Sequence, residues 1–365
     1  MGDGLGIYDE AAKGCCAFFA TSFFLPSQEE MLNMPAEIKK NSNQYQVDSG
    51  LNGTLAAIDA AQKFGLKKII QTSSVAAISP TSAKAGQGPA DAPYSEKNWN
   101  DVAKLGYMNY FYAKRMGEKR MFDWKKDNPS GPAIASLQFA VATGPPQQAR
   151  IGSSTSFFAG LLKMDLGPFF LPINLWLVDI RDVARAHVHV LEHDKGEGRF
   201  VVSPSHDPKE TMWSLERVSK LFISQAKFQD YPVAEIPLPK FVFRLLANNL
   251  PGIDAGILEL VEPTPGFDGT KITRELGFEY KHANMTKSLI ETAEGIVEVG
   301  GADVGKTTIA VCAVLFAIAF FILIGLITIP VLYCVDSGDS SASGASGASG
   351  GGGEIGFSQK GGKAD

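Results

Sequence analysis

Cysteine is scarce in this chain. Four occur in 365 residues, at Cys15, Cys16, Cys312 and Cys334, and their spacing fits neither a disulfide framework nor a zinc site, which suits a reducing compartment. Positive charge is not in excess either: 34 Lys and Arg stand against 39 Asp and Glu, a net charge of −5. Without a basic surface, nucleic acid is not an expected partner. Ahead of the apolar stretch 15–26, where a signal would carry positive charge, the acidic Asp3, Asp9 and Glu10 outnumber the one basic residue, Lys13, and this argues against a secretory signal.

Long apolar runs are missing as well, with one exception. Residues 307–335 carry no charged side chain. At ~1.5 Å of rise per residue such a helix exceeds the ~30 Å of a bilayer core. Gly325 and Pro330 are tolerated inside membranes, and Tyr333 stands where an interfacial aromatic would. The expectation is a single transmembrane helix with membrane lipid as a partner. Lys306 before it and Asp336 and Asp339 after it favour a soluble domain on the cytoplasmic side, with the endoplasmic reticulum membrane a candidate. The glycosylation patterns at Asn52 and Asn284 would then go unused. Residues 336–365 are rich in Gly and Ser, with repeats such as Ser343-Gly344-Ala345, and read as a disordered tail.

Upstream, strand and helix patterns alternate. Residues 15–20 and 67–72 read as buried strands, and 54–64 between them reads as a helix from Leu55, Ile58 and Ala61 with a stop at Gly65. Helices are expected at 108–124 and 179–192, and strands at 134–142 and 199–203. Such alternation predicts an α/β fold built on a doubly wound parallel sheet. Residues 204–300 are less regular, with helical stretches at 213–225 and 240–248, and read as a smaller substrate-binding region. The organisation expected is a catalytic domain over 1–203, that region over 204–300, a juxtamembrane linker at 301–306, then the membrane helix and tail.

The residues richest in chemistry are Ser74, at the end of the 67–72 strand, and the pair Tyr110 and Lys114. Four apart on a helix, Tyr110 and Lys114 share one face. A phenol is a poor acid at neutral pH, and a neighbouring ammonium is expected to lower its pKa toward the range general acid–base work needs. A Tyr-x-x-x-Lys pattern alone is unspecific. Here a strand ending in a serine precedes it and another strand follows, the order such a site takes in an open α/β sheet.

These features are joined by Phe19-Ala20-Thr21, Asn52-Gly53-Thr54-Leu55, Tyr94-Ser95-Glu96 ahead of Trp99, Thr143-Gly144-Pro145, residues 178–187 (VDIRDVARAH) and Arg274 to Phe278. In this order the sequence resembles the extended short-chain dehydrogenases and reductases, of the NAD-dependent epimerase/dehydratase type, near the dihydroflavonol and cinnamoyl-CoA reductases. The resemblance implies a Rossmann-like fold and an oxidoreductase acting on a CH–OH or carbonyl group with NADP, or else NAD. It implies Ser74, Tyr110 and Lys114 as the catalytic triad, with Tyr110 protonating the substrate carbonyl. Thr21, Tyr110, Lys114 and Phe139 would then border the cofactor, and no metal is implied. The substrate would be a small carbonyl or alcohol, lipophilic if the protein sits on a membrane. A 3β-hydroxysteroid or sterol dehydrogenase is the neighbouring enzymatic reading, and a membrane-bound scaffold without a cofactor is the reading from another class.

Two departures from the family pattern stand out. The family's opening strand, Gly-x-x-Gly-x-x-Gly turn and helix have no counterpart in these residues, since Gly2, Gly4 and Gly6 follow no strand. The Rossmann-like domain is therefore expected to be incomplete, as in a shortened version of a longer protein, with an open edge beside 15–20. Phe139 stands where relatives carry a proline near the nicotinamide.

Other motifs have a poor context. Residues 300–307 (GGADVGKT) match a phosphate-binding loop, but the segment that follows is apolar and then low in complexity, with no nucleotide-binding sheet to join. His189, Glu192 and His193 match a zinc-peptidase pattern at the end of the 179–192 helix, where the resemblance implies no metal. Asp179 and Asp182 suit a helix N-terminus and read as structural.

Overall fold

The protein is described from a computed structural model that covers residues 6–21, 41–79, 92–148, 152–249, 255–261 and 265–301. Its central sheet is parallel, with β1 (Ala17–Ala20), β2 (Lys68–Thr72), β3 (Ala133–Phe139) and β7 (Gly198–Val202) adjacent in the order β1-β2-β3-β7. Pairing brings Ile69 opposite Ile134 and Leu137 opposite Phe200. Among the described residues β1 is an edge strand, and Phe19 on it is 41% exposed.

Side chains alternate across each strand, so the sheet needs cover on both faces. Helices α1 (Ser42–Lys63) and α2 (Asn109–Asp127) supply it on one side, where Ala57, Ile58, Ala61 and Met121 pack with Ile69 and Ile134. On the other side, α4 (Ile180–Glu192), which follows α3 (Ser153–Lys163), packs Val183, Ala186 and Val190 against Ile70, Ala135 and Leu137. Each fully buried Ile or Leu of these layers contributes about 1.5–3 kcal/mol. Lys68 reaches from β2 to the carbonyls of Val190, Leu191 and His193 at 2.9–3.1 Å, which caps the C-terminus of α4.

Beyond Phe139 the chain passes into a second, three-stranded sheet of β4 (Val141–Thr143), β6 (Asn174–Asp179) and β8 (Met212–Ser214). β5 (Asp165–Phe170) pairs with β9 (Ile236–Pro237). Helices α5 (Leu215–Ile223), α6 (Lys240–Asn249) and α8 (Met285–Glu298) join α3 around a separate apolar cluster that includes Phe158, Leu175, Phe222 and Leu289. Between them, α7 (Thr270–Leu276) returns to the central sheet through Ile272 and Leu276.

Several boundaries differ from the sequence reading. α1 begins twelve residues before the expected Thr54, because its N-terminal half packs through small residues instead of an apolar stripe. A Cβ at Gly117 of α2 would lie 3.1 Å from Thr54 Oγ1 and 3.8 Å from the Gly50 carbonyl, so the two helices meet through glycine. The expected 134–142 strand is two strands, β3 and β4. Trp213 belongs to β8 instead of a helix, because Ser214 takes extended backbone and its hydroxyl accepts from Arg217 N at 3.1 Å to start α5.

The single-pass membrane localisation is corrected. Among the described residues no helix is long and apolar enough to cross a membrane. The longest, α1, carries Gln44, Asp48 and Asp59. The 307–335 segment on which the expectation rested, the 302–306 linker residues and the 336–365 tail lie outside the described residues. The membrane-lipid partner and the lipophilic substrate, which depended on it, are not carried forward.

Candidate functional site

The C-terminal ends of β2 and β3 are where an open parallel sheet presents a crevice to ligands. The chain leaves β2 through Ser73, whose amide donates to Leu137 O at 3.0 Å, and Ser74 then starts a short 3-10 turn, its Oγ accepting from Ala76 N at 3.2 Å. Tyr110 lies in the first turn of α2. That helix is entered through Met108, a fully buried residue held at φ +61°, a backbone conformation that costs about 1–3 kcal/mol and gathers at functional sites. Asn109 fixes the same entry, its Oδ1 accepting from Gly106 N at 2.7 Å.

The sequence-predicted trio converges here. The Ser74 hydroxyl hydrogen-bonds the Tyr110 phenol. Lys114 Nζ donates to Thr72 O at 3.1 Å and stands 5.8 Å from the centroid of the Tyr110 ring. The electrostatics differ from the expectation. Burial raises the Tyr110 pKa, against the Ser74 hydrogen bond that lowers it, so the phenol keeps its proton. Burial also pushes Lys114 down, to about 8, against the Glu118 carboxylate that raises it.

A buried polar group that the sequence reading missed lies directly beneath. Glu118, one turn beyond Lys114 on α2, is fully buried. It accepts hydrogen bonds from the Ser73 hydroxyl, from Gln138 Nε2 at 2.6 Å and from Arg199 Nε at 2.5 Å. The Arg199 guanidinium stacks 3.7 Å over the Trp99 ring and also donates to Asn98 O at 2.8 Å and to the Glu96 carbonyl. Glu96 in turn accepts from Val201 N at 2.8 Å. The available signal was polar residues on one face of otherwise apolar strands, namely Gln71, Ser136, Gln138 and Arg199.

Of the residues assigned to the cofactor, Thr21 is exposed just past β1, and Phe139 ends β3, partly buried. Between β1 and β3, the His187 ring lies 6.0 Å from Phe19 and 6.4 Å from Phe139. Its Nδ1 meets Val183 O at 2.8 Å and its Nε2 meets Thr72 Oγ1 at 3.0 Å, and burial lowers its pKa. A neutral ring donating to Val183 and accepting from Thr72 satisfies both contacts.

The remaining motifs take structural places. Asp179 caps α4 by accepting from Arg181 N at 2.9 Å, and Asp182 accepts from the amides of Lys281 and His282 at 3.0 and 2.7 Å. His189 Nε2 contacts Leu276 O at 2.7 Å, and His193 Nδ1 accepts from Lys195 N at 3.0 Å. Among the described residues no group of three or more His, Cys, Asp or Glu side chains is placed to hold a metal. Of the 300–307 motif, all but Gly300 and Gly301 lies outside the described residues.

A bifunctional dihydroflavonol 4-reductase/flavanone 4-reductase of Malus domestica is 26% identical over 289 residues, covering 76% of this chain and 69% of the relative. Cinnamoyl-CoA reductase 2 of Arabidopsis thaliana is 28% identical over 194 residues, covering 52% of this chain and 53% of the relative, about half of its length. Among solved structures, Gre2 from Candida albicans in complex with NADPH aligns with a TM-score of 0.56 at 20% identity, covering 81% of each chain, and shows the shared fold. The sequence profile of the NAD dependent epimerase/dehydratase family matches residues 34–203, the segment that holds Ser74, Tyr110 and Lys114.

Proposed function

We propose that this chain is an NAD(P)-dependent oxidoreductase that reduces the carbonyl of a small ketone or aldehyde, or oxidises the matching alcohol. The observation that carries the reading is the hydrogen bond between Ser74 and Tyr110 with Lys114 one turn further along α2. The donor set suits the nicotinamide-ribose half of the cofactor: Lys114 offers an ammonium to the ribose hydroxyls, and Thr21, Phe139 and the exposed Phe19 border the same sheet ends. Among the described residues no glycine-rich turn links a strand to a helix for the pyrophosphate, so the fit extends to that half only. When bound, the dinucleotide supplies the hydride that forms the new C–H bond.

The chain's own residues then handle the oxygen. Ser74 Oγ donates to the carbonyl and orients it. Tyr110, kept protonated by burial, transfers its phenolic proton to the oxygen as the C=O π pair becomes an O–H bond. A depressed pKa at Lys114 lets it hold or release a proton near neutral pH. The test is NADPH and NADH titration followed by NADPH oxidation with 4-nitrobenzaldehyde and methylglyoxal as probes. Carbonyl-dependent oxidation is expected. If neither dinucleotide binds, the reading is overturned in favour of a non-catalytic scaffold.

A further inference from the structure

Glu118 is the one fully buried carboxylate of α2, and it faces the sheet at the level of the reacting trio. Burying a carboxylate costs several kcal/mol unless it is paired and its lone pairs are filled. Here both oxygens are occupied, by Arg199 and Gln138 on one and by Ser73 on the other. A helix could be seated on this sheet by apolar residues alone, as Met121 does, so packing does not call for a charge at this place. Two of its connections lead to the proposed centre. Ser73 is held at both ends, its amide on Leu137 O and its hydroxyl on Glu118, and Ser74 is the next residue. Lys114 precedes Glu118 by one turn on the same helix face, where opposite charges interact.

We infer that Glu118 is a positioning residue, which fixes Ser74 through Ser73 and holds a negative charge beneath Lys114. Among the groups facing Lys114 are Tyr110 and Glu118 from its own helix and the Thr72 carbonyl at the end of β2. His187 from α4 meets the hydroxyl of Thr72, whose carbonyl accepts from Lys114. Those facing Glu118 are Ser73, Gln138 and Arg199, and Lys271 of α7 contacts the Arg199 carbonyl at 2.7 Å. Glu118 is thus the acidic group that opposes burial in holding the charge on Lys114, and it acts through Lys114 and Ser73 without touching substrate. The inference rests on the reading of Ser74, Tyr110 and Lys114 as the reacting centre.

The decisive readout needs no substrate. Reductive methylation with ¹³C-formaldehyde reports the titration of each lysine by NMR, with the Lys114 signal assigned from Lys114→Arg. Its midpoint is expected near 8 in the parent protein. Glu118→Gln is expected to lower that midpoint by about one pH unit, as loss of a neighbouring opposite charge does. Ser73→Ala, which keeps the charge, should leave the midpoint in place while lowering kcat for 4-nitrobenzaldehyde about tenfold, with KM nearly unchanged. If Glu118→Gln does not fold, the double variant Glu118→Met, Arg199→Met removes the pair together and should lower the midpoint likewise. An unmoved Lys114 midpoint in the folded variant, or an unchanged kcat in Ser73→Ala, overturns the inference. Undiminished turnover in Tyr110→Phe would instead remove the functional reading and leave the midpoint result standing.

Discussion

Replacing Asp179 by Asn probes how the second sheet is tied to α4 and α8. The Asp179 carboxylate is fully buried. One oxygen accepts from the Arg181 amide and Nε at 2.9 and 2.8 Å, and the other from Arg181 Nη2 at 2.6 Å and Ser288 Oγ at 2.5 Å. Asn keeps a carbonyl to cap α4 but removes the charge and turns an NH2 group toward Arg181 or Ser288. Breaking a buried ion pair from one side costs about 3–5 kcal/mol. Arg181 is 31% exposed and retains Glu291 at 2.5 Å, so the lower end, about 3 kcal/mol, applies. At about 2–4 °C per kcal/mol for a domain of this size, Tm should fall by about 6–12 °C at pH 7.

The pH dependence supplies a second check on Asp179. Burial works to raise its pKa, but the hydrogen bonds from Arg181 and Ser288 outweigh burial and hold the carboxyl below the usual range. A depressed folded pKa contributes stability that is complete above the unfolded value of about 3.9 and is lost as pH falls through the folded value. The Tm gap between parent and Asp179→Asn should therefore be constant at neutral pH and narrow below about pH 4. Thermal unfolding followed by circular dichroism from pH 3 to 7 measures both. A gap under about 3 °C at pH 7, or one unchanged at pH 3, would refute the reasoning.

Two further predictions concern backbone space and the charge on Lys114. A Cβ at Gly269 would lie 2.2 Å from Ser203 O and 2.8 Å from Ser203 N, so Gly269→Ala should prevent stable folding; Gly277, at φ +68° with nothing within 4 Å, should cost only about 1 kcal/mol as Ala, and comparing the two melting curves checks this. The Lys114 ammonium is lost as pH rises through about 8. Under the proposed function kcat/KM for NADPH should decline over that range, and a profile flat to pH 10 would contradict the role given to Lys114.

Much of this architecture was legible in the sequence because apolar residues recur at fixed periods. Residues 67–72 and 199–203 gave strands within one residue, and the 179–192 helix was placed with Asp179 and Asp182 at its N-terminus, since strand alternation and acidic residues at a helix start are local signals. The first half of α1 escaped because glycine-mediated helix contact leaves no apolar stripe, and β5 and β6 escaped because their pairing is set by tertiary packing. Tyr110 and Lys114 were found from their spacing. Their electrostatics were not, because burial depends on the whole fold and here outweighs the pairwise effect a sequence can suggest. Glu118 and Arg199 are 81 residues apart, so only the parallel register of β3 and β7 over α2 brings them together.

The central claim is that Tyr110 donates the proton to a substrate carbonyl, and Tyr110→Phe tests it most directly. The substitution keeps the ring and removes one hydroxyl. With NADPH and 4-nitrobenzaldehyde, kcat is expected to fall by about 10²–10⁴-fold while NADPH affinity changes little. A Tyr110→Phe protein that reduces the probe at the parent rate would contradict the account.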